Sequence, residues 1–97
     1  MPYEIRFALS AKQQLRAFLS ANALSLVAGI ETQLADEPLV ETRNRKRLRP
    51  NPIAPWELRV RDMRVLYEVD EPGVVTILAI GTKRGNKLYI EGEEIEL

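Results

Sequence analysis

Residues 56 to 81 constrain the fold most: two stretches that alternate with period 2, followed by an unbroken apolar run. In WELRVR, Trp56, Leu58 and Val60 point one way, while Glu57, Arg59 and Arg61 point the other. After Asp62-Met63 the alternation resumes, with Val65, Tyr67 and Val69 on one face and Arg64, Leu66 and Glu68 on the other. VVTILAIG (74–81) then suits a buried central strand. Together the three stretches predict an antiparallel meander whose apolar face the rest of the chain must cover. With Asp62-Met63 at the first hairpin's tip, Arg61 falls directly opposite Arg64. Like charges so placed cost stability unless something answers them.

The cover comes from the first third of the chain. Tyr3, Ile5 and Phe7 alternate with Glu4 and Arg6, which predicts an opening strand over 2–8. Ser10 and Gln13 form a candidate capping box. Leu15, Phe18 and Leu19, then Leu24, Val27, Ile30 and Leu34, recur at helical spacing. The break at Ser20-Ala21-Asn22 divides them into helices over 10–19 and 23–36. Prolines and a basic run make 37–55 an irregular connection, and long ordered connections of this kind tend to carry function. A turn at Glu71-Pro72-Gly73 and a short strand over 87–91 complete the reading. The class is α+β in the order β-α-α-β-β-β, an antiparallel twisted sheet packed against a helical hairpin, in one domain over 1–97.

Composition matters here chiefly through what is missing. There is no cysteine and no histidine, which excludes disulfides, thiolate nucleophiles, the usual zinc sites and histidine-based triads. No metal or cofactor is expected. No apolar run reaches membrane-spanning length, and MPYEIRF is charged too early for a signal peptide, so a cytoplasmic protein is expected. The net charge of zero conceals a segregation. Eight bases face two acids between Arg43 and Arg64, whereas EGEEIEL (91–97) holds four glutamates and no base. This acidic tail is expected to be dispensable for folding and to shield the basic face.

The apolar face of the hairpin accounts for the core, Trp56 included, which leaves Arg59, Arg61 and Arg64 free to form a cationic floor for phosphate. Arginine suits that task because its planar fork donates in pairs and stays charged. The plainer alternative is a solvated face on which Glu57 and Glu68 neutralise the arginines. The run Arg43, Arg45, Lys46, Arg47 and Arg49, with Lys87 further on, reads as an RNA-backbone contact or a surface for an acidic protein segment.

Taken whole, PNPIAPWELRVRDMRVLYEVDE followed by VVTILAIGTKRGNKLYI resembles the RelE/ParE superfamily of bacterial toxins from toxin–antitoxin pairs. The most specific part is Arg64-Val65-Leu66-Tyr67 leading to the basic segment Gly81 to Arg84. The resemblance implies a small α+β fold and a cognate antitoxin partner in a toxin–antitoxin hetero-oligomer. It also implies one of two activities: RelE-like members cleave messenger RNA in the ribosomal A site, and ParE-like members poison DNA gyrase without chemistry. Cleavage is the preferred expectation. A weakened relative that only binds its antitoxin is a third possibility. By resemblance, Arg64 matches the arginine at the scissile phosphate, Lys83 or Arg84 a second basic residue, and Tyr89 a terminal tyrosine. Two lysines that the nucleases carry on the preceding strand are replaced here by Glu57 and Arg59, or by Arg59 and Arg61.

RNA cleavage by the adjacent 2′-hydroxyl needs a base, positive charge at the phosphate and an acid for the leaving oxygen. Arginines supply only the second. Glu57, within reach of all three arginines, is therefore the candidate base, with Glu68 as competitor. Tyr89 can donate a proton, orient the phosphate or stack on a base.

Overall fold

In a computed structural model the structure describes residues 2–18, 20–70 and 73–97. Leu19, where the first helix was expected to end, and most of the turn at Glu71-Pro72-Gly73 lie outside them. The elements are β1 (Glu4–Phe7), α1 (Leu9–Leu15), α2 (Ser20–Leu34), β2 (Arg45–Arg47), β3 (Trp56–Val60), β4 (Met63–Asp70), β5 (Val74–Arg84), β6 (Lys87–Ile90) and β7 (Glu93–Ile95). The expected α+β order holds, with two short strands added at the sheet's flanks.

β2 to β7 lie side by side in sequence order, all antiparallel. β1 joins in parallel, Glu4 to Phe7 running beside Val74 to Ile77. The long strand β5 is thus bordered by β4 along one edge and by β1 and then β6 along the other. The pairing carries into the helix start, because Ala8 N–H donates to Ile77 O. That holds the chain extended through Ala8, so α1 begins at once with no side-chain cap. Ser10 is not the cap its spacing suggested. Its hydroxyl instead donates to Leu78 O at 3.1 Å, tying the helix to β5.

α2 buries Leu26, Ile30 and Leu34 against Trp56, Leu58, Val65, Tyr67, Val75, Ile77 and Ile80, the main core. Leu24, expected in the apolar stripe, is 73% exposed. Trp56 sits in this core, opposite Tyr67 on β4, with ring centroids 6.1 Å apart. Tyr67 donates to Pro38 O at 2.6 Å, which pins the start of the long connection to the sheet. Burial pushes the Tyr67 phenol's pKa well up, against a smaller lowering by Arg45.

The other face of the sheet is not wholly free, as the alternation implied. Leu66, Ala79, Leu88, Ile90 and Ala54 form a second buried cluster there, with Leu48, Ile53, Leu78, Ile95 and Leu97 packed around it. A bulge makes it possible: the register shifts at Leu66/Tyr67, with Leu66 opposite Ala79 and Tyr67 opposite Ile77. Leu78 is the extra residue, so β5 changes the phase of its alternation halfway. The acidic tail is part of this structure. β7 pairs with β6, and Ile95 and Leu97 cover apolar surface, so the tail is not the loose appendage its composition suggested.

Candidate nucleic-acid interface

The β3–β4 hairpin turns at Arg61-Asp62, one residue earlier than the alternation implied, with Val60 opposite Met63. Arg61 takes φ +58, and Arg59 rather than Arg61 faces Arg64. A like-charged pair therefore does lie across the strands, and Glu57 answers it. Its Oε1 is 3.1 Å from Arg64 Nε and 3.8 Å from Arg59 Nε, with the Glu57 side chain 9% exposed. Arg64 Nε is buried without a well-aimed hydrogen bond, so charge more than direction holds that contact. Arg64 also donates through Nη1 to Arg61 O and Met63 O, both at 2.9 Å, and so braces its own turn. Its side chain is 12% exposed. Burial lowers its pKa, Glu57 raises it, Arg59 lowers it and Asp62 raises it; the guanidinium stays protonated throughout the physiological range.

Cross-strand partners share a face of the sheet. Lys46 on β2 pairs with Glu57, and Glu57 with Leu66, which places Lys46 beside the second apolar cluster. Lys83 pairs with Leu88 of the same cluster. Lys46, Arg47, Arg49, Glu57, Arg59, Lys83, Leu48 and Leu97 line one open groove of about 520 Å³. Next to it, Arg49, Lys83 and Lys87 meet Glu94, Glu96 and Leu97 in a second groove, where Lys87 pairs with Glu94 at 3.6 Å. Glu68, the competing carboxylate, lines neither groove.

The expected catalytic set is divided by this geometry. Glu57, Arg59, Arg64 and Lys83 share the groove face. Arg84 and Tyr89 lie on the helix side, with the guanidinium carbon 5.6 Å from the Tyr89 ring centroid and Thr82 directly opposite Tyr89. Arg61 stands apart at the hairpin tip, beside Phe18 and Asp62, because a residue in the loop follows the turn's geometry and not the strand's alternation.

The basic run is likewise divided. Arg45 donates to Val40 O at 3.0 Å and to Gln33 O, which makes it a brace between β2 and the end of α2. Lys46, Arg47 and Arg49 reach the groove, and Arg43 is exposed ahead of β2. Pattern reading missed two things. One is the apolar roof over half of the groove face, whose signal was Leu48, Ile53, Ile95 and Leu97 at otherwise polar positions. The other is a helix-side cleft lined by Gln14, Phe18, Thr82 and Glu91, for which residue spacing offered no signal.

Comparison with known proteins adds three findings. The model of the family "ParE toxin of type II toxin-antitoxin system, parDE" matches residues 5–86. A chain in the crystal structure of the RelBE2 toxin–antitoxin complex from Mycobacterium tuberculosis is 28% identical, with a TM-score of 0.69 over 87% of this chain and 100% of that one. No curated protein sequence matches.

Proposed function

The chain belongs to the ParE toxin family of type II toxin–antitoxin systems, and from its cationic groove we propose that it is a cytoplasmic toxin that cleaves messenger RNA in the ribosomal A site. A cognate antitoxin holds it in a hetero-oligomer, as the RelBE2 complex suggests. The observation that carries the RNA reading is the groove. Lys46, Arg47, Arg49, Arg59 and Lys83 surround one inward carboxylate, Glu57, in a single open groove.

The chemistry follows from what these side chains can exchange. A phosphate entering the groove competes with Glu57 for Arg59, because a guanidinium fork donates to either anion. Glu57, released from Arg59, is then free to take the proton of the adjacent 2′-hydroxyl. The resulting oxyanion attacks the phosphorus, and the arginines hold the charge that builds on the phosphoryl oxygens. Lys46 and Lys83 are the groove-lining groups with a proton to give to the leaving 5′-oxygen, while Tyr89 lies on the opposite face.

Induction of the toxin should leave ribosome-bound messenger RNA with 2′,3′-cyclic phosphate or 3′-phosphate ends, mapped by end-specific ligation. Glu57→Gln should slow cutting by about 10²–10⁴-fold, since an amide cannot accept the proton. One observation favours the gyrase-poisoning reading: Arg64 spends its guanidinium on its own turn and on Glu57. Intact messenger RNA accompanied by gyrase-linked DNA breaks would establish that reading in place of cleavage.

A further inference from the structure

One wall of the basic groove belongs to the loop that runs from Leu48 to Pro55 between β2 and β3. The loop is closed at its base by Leu48 N–H, which donates to Pro55 O at 2.8 Å. Ala54 is buried in the second apolar cluster and Leu48 and Ile53 pack against it, so the loop stands on apolar feet. Pro50, Pro52 and Pro55 fix φ at their own positions. They also bias Arg49, Asn51 and Ala54, the residues before them, toward extended backbone.

Asn51 ties this loop together from within. Its Oδ1 accepts from Ile53 N–H at 2.9 Å and from Ala54 N–H at 3.0 Å. Its Nδ2 donates to Ala54 O and to Arg49 O, both at 2.8 Å. Both donors and both lone pairs of the amide are thus used, a combination that no other side chain of this size offers. The bonds to Ile53 and Ala54 close the turn above the apolar feet. The bond to Arg49 runs backwards, and the turn does not need it. What that bond fixes is the peptide just after Arg49, whose side chain is exposed. Arg49 and Lys83 line both the groove around Glu57 and the neighbouring groove beside Lys87. Arg49 therefore stands where the two grooves join.

We propose that Asn51 is a positioning residue of the groove. By holding the Arg49 carbonyl it aims the Arg49 guanidinium at a phosphate where a single RNA strand passes from one groove to the next. The strand rests on the messenger-RNA reading, whereas the bond from Asn51 to Arg49 belongs to the fold itself. A loop ordered during folding loses no further backbone freedom when the strand arrives, so a preset arginine keeps affinity that a mobile one forfeits.

The test titrates a short single-stranded RNA into the full chain at several ionic strengths, with a double-mutant cycle across Asn51 and Arg49. Arg49→Ala should weaken binding about 5-fold, as for one exposed ion pair. It should also flatten the salt dependence by about 0.7, the share of one phosphate on a single strand. Asn51→Ala should reproduce both changes in the wild-type chain and add nothing in the Arg49→Ala chain. A residue that only holds the loop on the sheet would cost the same affinity in both backgrounds, and that result would overturn the proposal. So would an Arg49→Ala chain, or an Asn51→Ala chain, that binds RNA as the wild type does. Thermal unfolding checks each variant. Should Asn51→Ala not fold, Asn51→Ser takes its place in the cycle, because its hydroxyl serves the Ile53 N–H but has no amide to reach Arg49. Uncut messenger RNA with RNA binding that depends on Asn51 through Arg49 would remove the cleavage reading alone. Cut messenger RNA with independent effects of Asn51 and Arg49 would remove this proposal alone.

Discussion

Arg64 holds two positions at once, brace of its own turn and counter-ion of Glu57, and its removal should be felt in both. From the alternation alone it is a surface residue whose loss should leave the fold intact. The structure leads to a different expectation, because the side chain is 12% exposed and is held by Glu57 and by the carbonyls of its own turn. Arg64→Ala leaves Glu57 with Arg59 at 3.8 Å as its remaining partner. The expected cost is about 2–3 kcal/mol, below the figure for a fully buried pair because some water reaches the site. Urea unfolding measures it. Arg61 should behave oppositely: Arg61→Gly relieves a left-handed backbone and should leave stability unchanged or raise it by up to about 1 kcal/mol. Tyr67 sets an alkaline limit. Its phenol ionises less readily folded than unfolded, so its contribution is complete below about pH 10 and is lost as pH rises beyond that value. Tyr67→Phe should flatten that alkaline fall in a pH series of melts while costing about 1 kcal/mol for the lost bond to Pro38.

At the level of elements, β5 decides what the two faces of the sheet become. Its bulge at Leu78 hands Ala79 to the second cluster and returns Ile80 to the main core. Gly81 follows because a side chain is excluded there. A Cβ would press on the Tyr89 carbonyl and lie 2.9 Å from Ile90 Cγ1. Gly81→Ala should therefore cost about 1–3 kcal/mol. Hydrogen exchange should show the loss in β6 and β7, with Leu88 and Ile90 losing protection before Val65 or Tyr67. The three central strands were legible in the sequence because their apolar residues recur with period 2 or run unbroken. β2 and β7 were not, since three-residue strands inside a basic run and an acidic run have no apolar rhythm to betray them. Lysines and arginines along the outer strand β2 also discourage pairing with another chain, an arrangement that reads as an irregular connection until the partner strand is seen. In the site, side-chain chemistry was legible but depth and handedness were not. A one-residue error at the Arg61-Asp62 tip was enough to misplace Arg61, and residue types alone could not tell that Tyr89 and Lys83 face opposite ways.

For the molecule as a whole, the segregation of charge has a location. Glu94 and Glu96 of the C-terminal segment stand beside Arg49, Lys83 and Lys87, at one end of the cationic face. Because Ile95 and Leu97 also pack there, charge and packing have to be separated in any test. Replacing Glu93, Glu94 and Glu96 with glutamine keeps the apolar contacts, raises RNA affinity and steepens its dependence on salt, as filter-binding titrations across ionic strengths would measure. An unchanged slope would make these glutamates ordinary solubilising charge. The parallel pairing of β1 with β5 bears on when the molecule exists at all. Glu4 meets Val74, so the first strand made waits for β5 before it has a neighbour. At roughly 5–20 residues per second a chain of this length takes roughly 5–20 seconds to emerge. During that interval Leu26, Ile30 and Leu34 have no complete sheet to lie on, and Lys83 has not yet joined Lys46 and Glu57. The groove is thus complete only after β5 and the segment behind it have been made, well after Lys46 and Glu57.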